Sequence, residues 1–269
     1  MNDLLAALLL GIIEGITEFL PISSTGHLLI AERWLGHRSD LFNVAIQAGA
    51  ILAVVLIYRQ RLWQLATQFF TEHESRDYAA KLAMAFGITA VLGLVMKKLG
   101  FQLPSTVTPI AWALMIGAVW MVAAEYFASH RAAALGERTT ITWTVAILVG
   151  LAQVVAGAFP GTSRSAATIF VALLAGTTSR AAATEFAFLV GIPTMFAATG
   201  YELIEMVGTG EAAHEDWASL GIAFAASAAT AFVAVKWLLH YIQRHRFTVF
   251  ALYRVVLGVA LLLLVPAGQ

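Results

Sequence analysis

Six long apolar runs constrain the fold of this chain more than any other feature. They cover residues 41–58, 79–96, 107–127, 184–201, 220–239 and 247–265. A helix needs about 20 residues to span about 30 Å of hydrocarbon, and each run approaches that length. We therefore predict six transmembrane helices.

The composition agrees with a membrane protein and excludes several other classes. Hydrophobic residues make up 60% of the chain and charged residues 12%, whereas soluble domains have roughly 45–50% and 25%. Sixteen basic residues balance sixteen acidic ones, so the chain has no net charge to attract nucleic acid. The lack of cysteine excludes disulfides and thiolate metal sites.

Two further apolar segments differ from these runs because proline and serine interrupt each of them. One consists of residues 4–20 and 24–35, and the other of residues 143–159 and 165–175. About twelve residues of helix cover only about 18 Å, so the second part of each segment is too short to cross. We predict two re-entrant helical hairpins, whose tips must be buried in protein or line a cavity because lipid cannot satisfy their backbone polar groups.

The two interrupted segments repeat one another. Four pairs of positions match at one constant spacing: Gly11 and Gly150, Glu14 and Gln153, Pro21 and Pro160, and Ser24 and Ser163. Each half then contains one hairpin, which makes no net crossing, and three spans, an odd number, so the second half enters the membrane inverted. We predict an all-α integral membrane protein with an inverted-topology repeat, each half having one re-entrant hairpin and three transmembrane helices. It forms a single membrane domain of residues 1–269, with repeats at approximately 1–130 and 140–269.

The loops carry an uneven distribution of basic residues. The basic loops follow the first span, join the halves or precede the last span, and contain Arg59, Arg61, Arg76, Lys81, Arg131, Arg138, Arg244 and Arg246. The loop of residues 202–216 has no lysine or arginine. Because cytoplasmic loops are enriched in these residues, we predict that the basic loops face the cytoplasm and that both termini and the acidic loop face outward. Lys97 and Lys98 are exceptions, since this topology places them outside.

The first hairpin carries two carboxylates inside an apolar helix. Glu14 and Glu18 are one turn apart and share a helix face. A charge near the bilayer centre costs roughly 2.5–3.5 kcal/mol, and two like charges repel each other, so something must compensate this pair. The alternative is that both are solvated charges at the outer end of a helix, although residues 19–21 continue the apolar segment beyond them.

Hydroxyl residues follow at the tip of this hairpin. Ser23, Ser24 and Thr25 are typical helix caps, and the free N–H groups of a helix N-terminus bind anions readily, so we predict that this turn binds an anionic substrate. His27 lies on the same turn, three residues after Ser24 and near both carboxylates. The set predicts a nucleophile, a base and an orienting acid, with Ser24 and His27 in the reacting roles. The alternative is a hydrogen-bonded histidine without a chemical role.

The second hairpin places a basic residue at its tip. Ser163, Arg164 and Ser165 repeat the hydroxyl turn, and Thr168 adds a hydroxyl one turn later. The helix dipole opposes a guanidinium at an N-terminus, so this placement is favoured when an oxyanion binds between them. We predict that these four residues bind substrate. The alternative is a structural ion pair between Arg164 and one of the two carboxylates, which is compatible with substrate binding if the pair forms without a ligand.

Four other polar residues within the apolar segments are candidates for supporting the site or fastening the hairpins. They are Gln47, Gln153, Glu185 and Arg254. For each of them a purely structural role is the equal alternative.

The two motifs together closely resemble those of the bacterial undecaprenyl-diphosphate phosphatase family, whose members are also called bacitracin resistance proteins. The first is EGITEFLPISSTGH at residues 14–27, and the second is FPGTSRS at residues 159–165. Length, hydropathy profile and order of segments also match along nearly the whole chain. The resemblance implies a hydrolase that converts a C55 isoprenyl diphosphate to the monophosphate and inorganic phosphate. Such an enzyme recycles the lipid carrier of peptidoglycan synthesis at the outer face of the bacterial inner membrane and confers resistance to bacitracin.

The resemblance also implies roles for individual residues. Glu14 and Glu18 correspond to the family's acidic pair, and Ser24 and His27 to its proposed nucleophile or base. The family's phosphate clamp corresponds to Ser163, Arg164 and Thr168. One departure is Ala166, where the family pattern favours glycine, and its methyl group leaves every reactive group in place.

The sequence leaves the course of the reaction open. Either Ser24 attacks with His27 as base, or His27 or a carboxylate activates water. A divalent cation, Mg²⁺ or Ca²⁺, bound by Glu14 and Glu18 and bridging to the diphosphate would relieve their repulsion, and dependence on divalent cations is implied by the family. The competing interpretation is a lipid-phosphate or anion transporter or flippase, because broken helices in inverted repeats are typical of secondary transporters. The apolar surface leaves a homodimer open as well.

Overall fold

A computed structural model describes residues 3–101, 106–210 and 215–265, and these residues form eleven α-helices and no strand. The helices are α1 Asp3–Thr17, α2 Ser24–Leu35, α3 Asp40–Ile57, α4 Arg59–Gln68, α5 His73–Lys98, α6 Val107–Leu135, α7 Trp143–Ala158, α8 Arg164–Ala175, α9 Arg180–Thr209, α10 Trp217–Arg244 and α11 Thr248–Leu264. Five of them, α3, α5, α6, α9 and α10, are long and apolar enough to cross a membrane. The prediction of an all-helical, multi-pass membrane protein is confirmed at this level.

The remaining predicted span corresponds to α11. This helix has 17 residues, and at about 1.5 Å per residue it measures about 26 Å, at the short end of the range for a crossing. It packs along α6, and the contact between the two helices is one of the most extensive in the described chain.

Two predicted loops contain helix instead. Residues 59–68 form α4, in which only Leu65 is buried. Helix α9 continues to Thr209, so the first part of the predicted acidic loop is helical, and residues 211–214 of that loop lie outside the described residues. The apolar run ends before the helix does, because the helix can continue into water once its charges are paired: Lys97 lies 2.9 Å from Glu202 and 2.6 Å from Glu205.

The short helices form two pairs, and each pair packs against a long helix from the other half of the sequence. Helix α1 packs on α2 and against α10, whereas α7 packs on α8 and against α5. A Cβ on Gly11 of α1 would overlap the backbone of Ala223, and a Cβ on Gly150 of α7 would lie 2.8 Å from the carbonyl oxygen of Ala85. The matched glycines of the repeat therefore both allow close approach of two helix backbones.

The largest hydrophobic core surrounds the turns between the paired short helices. It includes Phe19 and Ile22 from the first turn, and Ala166 and Ile169 from α8, the helix that follows the second turn. Residues 18–24 of the first turn are buried or half-buried, and in residues 159–164 of the second turn only Phe159 is exposed. Most of the non-helical backbone is thus covered by protein, as an apolar environment requires.

Candidate active site

The two turns, hereafter tip 1 (residues 18–24) and tip 2 (residues 159–164), share an unusual backbone conformation. Ser23 has φ 73° and Ser163 has φ 70°, and no other non-glycine residue in the described ranges has a positive φ. Each serine caps the helix that follows, because Ser23 Oγ accepts from Gly26 N and Ser163 Oγ accepts from Ala166 N, both at 3.3 Å. Such strained residues are concentrated at functional sites.

The caps correct the alignment of the two motifs. The constant spacing in the sequence matches Ser24 with Ser163, but the structure gives Ser23 and Ser163 the same conformation and the same capping role. The reason is that the second turn has one more residue between its proline, Pro160, and its cap. Ser24 and Arg164 are therefore the equivalent first residues of α2 and α8.

Glu18 joins the two tips. Its carboxylate accepts a hydrogen bond from Ser24 Oγ and another from Arg164 Nη2, the latter at 2.5 Å. The same guanidinium nitrogen donates to Gln47 Oε1 at 3.2 Å. Glu18 is buried, and Arg164 is about one quarter exposed. The predicted ion pair thus forms, and a carboxylate lies where two helix N-termini and a guanidinium favour an anion.

Glu14 lies one turn before Glu18 and is fully buried. Neither of its carboxylate oxygens has a hydrogen-bond partner. The burial of both glutamates excludes the alternative that they are solvated charges at a helix end. Burying a carboxylate without donors is costly, so Glu14 needs a proton or a cation beside it.

His27 forms no hydrogen bond with Ser24 in this structure, and their predicted roles as nucleophile and base stay a prediction. Its Nδ1 lies 2.7 Å from the carbonyl oxygen of Ser23, and its Nε2 lies 2.7 Å from the hydroxyl of Tyr253. The acid in hydrogen-bond contact with Ser24 is Glu18. Sequence reasoning missed Tyr253, because nothing within the last apolar run indicates which face meets α2.

The hydroxyls of tip 2 and of the first turns of α8 bind mainly main-chain groups. Ser163 Oγ lies 3.1 Å from Ser165 Oγ, and Ser165 Oγ donates to the carbonyl of Leu20 in tip 1 at 3.2 Å. Thr168 Oγ1 donates to the carbonyl of Arg164 at 2.8 Å. Among the predicted clamp residues, Arg164 is thus the one whose functional group reaches the carboxylates, whereas the hydroxyls shape the turn. Thr25 lies on the first turn of α2 and is partly buried.

Arg254 fastens both tips to helices α6 and α11. This arginine of α11 is completely buried and donates five hydrogen bonds of 2.9 to 3.3 Å, all to main-chain carbonyls. The acceptors belong to α6 and to both tips, and they are Ala113, Leu114, Pro21, Gly161 and Thr162. Its contacts are those of the predicted hairpin fastener.

Two of the predicted supporting residues lie elsewhere. Gln153 Nε2 donates to Thr89 Oγ1 of α5 at 3.1 Å. Glu185 accepts from Arg61 at 3.1 Å and from Tyr78 at 3.4 Å, at the wall of a separate cavity of about 650 Å³. The sequence gives no indication of these partners, because they belong to other helices. The polarity of Gln153 and Glu185 therefore did not show that they lie away from the tips.

The chain matches one protein family along nearly its whole length. The family model described as bacitracin resistance protein BacA matches residues 7–260, a range that includes both tips and Arg254. The chain belongs to this family. An undecaprenyl-diphosphatase of Xanthomonas oryzae pv. oryzae is 63% identical over 268 residues, covering 100% of this chain and 99% of the relative. One of Rhizobium etli is 66% identical over 266 residues, covering 99% of this chain and 98% of the relative.

Ala166, at the position where the sequence resemblance favours glycine, lies in the hydrophobic core. Its side chain is buried among the residues that surround tip 2. Its amide N–H donates the hydrogen bond that Ser163 Oγ accepts at the start of α8. The added methyl group therefore contributes to packing and does not alter the hydrogen bonds of the tip.

The acidic pair is the candidate metal site of this family member. The described residues contain no group of three or more histidine, aspartate or glutamate side chains that could hold a metal ion together. Glu14 and Glu18 are adjacent, and the two oxygens of Glu14 are without donors. These are hard oxygen ligands of the kind that Mg²⁺ and Ca²⁺ prefer.

Proposed function

We propose that the protein is a membrane phosphatase that hydrolyses undecaprenyl diphosphate to undecaprenyl phosphate and inorganic phosphate. The observation that carries this proposal is the match of the full chain to proteins named undecaprenyl-diphosphatase, at 63% and 66% identity. The enzyme would recycle the lipid carrier of peptidoglycan synthesis and so confer bacitracin resistance. The geometry supports the same function, since it places a guanidinium, a serine and two carboxylates at one point between two helix N-termini.

The terminal phosphate would bind where Glu18 now meets Arg164. The guanidinium can form paired hydrogen bonds with phosphate oxygens, and the N-termini of α2 and α8 add partial positive charge. Charge on the transferring phosphoryl group is stabilised mainly by such preorganised donors. Substrate binding would therefore transfer Arg164 from Glu18 to the phosphate and leave Glu18 free to act on Ser24.

Ser24 and Glu18 then form the reacting pair. Ser24 Oγ attacks the terminal phosphorus, its proton passes to Glu18, and the bond to the bridging oxygen breaks to release the prenyl monophosphate. Water next attacks the phosphorus of the phosphoserine and the bond to the serine oxygen breaks. Glu18 returns its proton to that oxygen, and both protons of the water stay on the released phosphate. The competing route is direct attack by water, activated by Glu18 or His27. Denaturing a reacting sample and measuring the mass of the peptide around Ser24 distinguishes them, because only the first route adds a phosphate to that peptide.

We propose that Glu14 and Glu18 would hold a divalent cation, Mg²⁺ or Ca²⁺, when the diphosphate binds. Magnesium is commonly held by one or two carboxylates together with substrate phosphates, and Glu14 offers two buried oxygens without donors. When bound, the cation would neutralise the carboxylate pair and the diphosphate. Thermal unfolding in detergent tests this without turnover: Mg²⁺ should raise the midpoint of the native protein but not of Glu14→Gln.

We propose that the two halves form an inverted repeat, with α1–α2 and α7–α8 as re-entrant hairpins, in the bacterial inner membrane with the site open to the periplasm. The reciprocal packing of α1 on α10 and α7 on α5 supports this arrangement, and the basic loops set the orientation. A homodimer stays a prediction. Because the chain has no cysteine, a single introduced cysteine can be labelled: Thr209→Cys should react from outside, and Thr71→Cys only after permeabilisation.

Phosphate release by the purified protein tests the function itself. In detergent no two-sided membrane exists, so turnover of prenyl diphosphates requires an enzyme and not a transporter. We expect phosphate release to be greatest for long prenyl chains and to stop when a chelator is added. Binding without release would favour the transporter interpretation, which the names of the relatives do not support.

A further inference from the structure

His27 is held from both sides by groups that belong to different parts of the fold. Its Nδ1 contacts the main-chain oxygen of Ser23, and its Nε2 contacts the hydroxyl of Tyr253 on α11, each at 2.7 Å. The rings of His27 and Tyr253 are nearly parallel, with an interplanar angle of 8° and centroids 5.7 Å apart. The contact therefore fixes both the position and the tilt of the imidazole.

The chemistry of the two partners determines the protonation of the ring. A carbonyl oxygen can only accept, so Nδ1 must carry the proton that is donated to Ser23. In the neutral ring Nε2 then has a lone pair, and the Tyr253 hydroxyl donates to it. Nε2 is thus the nitrogen of His27 that can gain or lose a proton during a reaction, and Tyr253 sets its direction.

We propose that Tyr253 is a positioning residue for phosphate release, acting through His27. This inference rests on the proposed phosphatase function. The tyrosine keeps the imidazole in the Nδ1–H tautomer and fixes its orientation before the reaction. When water or the departing oxygen replaces the tyrosine hydroxyl as the partner of Nε2, the lone pair is free and a proton is exchanged there. Tyr253 belongs to α11, the same helix whose next residue, Arg254, anchors both tips.

Four variants and one control test the proposal by steady-state kinetics. Tyr253→Phe keeps the ring and removes the hydroxyl, and Tyr253→Leu removes both. We expect Tyr253→Phe to lower kcat about tenfold, the value of one well-aligned hydrogen bond, while KM changes less than about twofold. In a His27→Ala background the same substitution should have no further effect, because residues acting as one unit are not additive. Tyr126→Phe, which removes the hydroxyl of another exposed tyrosine, should match the native protein.

A spectroscopic measurement keeps the test independent of turnover. In protein labelled with ¹⁵N-histidine, the Nε2 signal of His27 should shift in Tyr253→Phe and stay unchanged in Tyr126→Phe. An unchanged signal would overturn the proposal, as would equal losses in kcat with and without His27, or full activity of Tyr253→Phe. Arg164→Ala distinguishes failure of the proposed function from failure of the role of Tyr253. If Arg164→Ala retains full turnover, the proposed function of the site is wrong. If Arg164→Ala is inactive and Tyr253→Phe is fully active, only the positioning role of Tyr253 is wrong.

Discussion

Tip 1 and tip 2 share the conformation of their capping serines and differ in the side chains that follow. Both turn at a proline and both cap the next helix with a serine at positive φ. Tip 1 then presents Ser24, and tip 2 presents Arg164 at the equivalent position. The two side chains meet at one carboxylate, Glu18, to which both donate.

The backbone and the side chains of the repeat therefore have separate roles. The shared conformation produces two helix N-termini, each favouring an anion. The differing side chains then divide the chemistry, because the acids and the serine come from the first copy and the guanidinium from the second. A chain with two copies of either tip would hold two like sets of charges, and neither set could both bind and cleave a diphosphate.

The largest expected effect comes from removing the group that only tip 2 supplies. We expect Arg164→Ala to lower kcat by about 10³-fold or more, the contribution typical of an arginine on a transferring phosphoryl group. Arg164→Lys should recover only part of the loss because it cannot form paired hydrogen bonds. The control is Arg33→Ala, an exposed arginine on α2. Phosphate release measures all three, and an active Arg164→Ala would show that tip 2 does not bind the phosphate.

A smaller effect is expected from the carboxylate that joins the tips. Glu18→Gln keeps the size of the side chain but cannot accept the proton of Ser24, so kcat should fall about 10²–10³-fold, in the lower part of the range for general acid–base catalysis. Glu185→Gln is the matched control, since this glutamate lies in the separate cavity. We expect it to retain activity within about twofold. A comparable loss in the two variants would mean that the effect of Glu18 is not specific to the tips.

The glycine contacts test whether the two halves pack alike. Gly11→Ala should lower the free energy of unfolding by about 1–3 kcal/mol, because the added methyl overlaps the backbone of Ala223. Gly150→Ala should cost less, since its Cβ would lie 2.8 Å from the Ala85 oxygen. Gly87→Ala has open space around it and should be neutral or stabilise by up to about 1 kcal/mol. Unfolding in detergent measures the series, and a destabilised Gly87→Ala would contradict the packing argument.

The smallest effect concerns the strained serines. Ser23→Gly and Ser163→Gly lose a cap, which costs a few tenths of a kcal/mol, but they relieve the positive φ, so the unfolding free energy should change by less than about 1 kcal/mol. The two alanine variants keep the strain and lose the cap, and each should be about 1 kcal/mol less stable than its glycine counterpart. Clearly unequal results at the two tips would show that the shared conformation has different roles in them.

The sequence predicted the elements more fully than the contacts between them. Proline and serine at the turns predicted the breaks before α2 and α8, because these residues end one helix and cap the next. Glu14, Glu18 and Arg164 stood out as charges within apolar segments, where the cost of burial requires a partner. Such reasoning identifies the residues that need a partner and leaves the partner itself to the packing.

The errors follow from the same limit. The alignment of Ser24 with Ser163 failed because one extra residue in a turn does not alter the hydrophobic pattern but shifts every later position. The pairing of His27 with Ser24 rested on their closeness along the helix and stays a prediction. In this structure His27 is hydrogen-bonded to the carbonyl of Ser23 and to the hydroxyl of Tyr253 on α11. Tyr253 is one of many apolar-segment aromatics, and only the packing of α11 beside α2 distinguishes it.

The position of Arg254 in the chain has a consequence for how the protein is made. The tips are complete once α8 has been synthesised, but the guanidinium that ties their carbonyls together belongs to α11, which follows the ten other helices. Until that helix inserts, both turns lack the hydrogen bonds that Arg254 donates to Pro21, Gly161 and Thr162. During synthesis, activity would therefore begin only after α11 has entered the membrane, so a partly inserted chain would not hydrolyse lipid diphosphate.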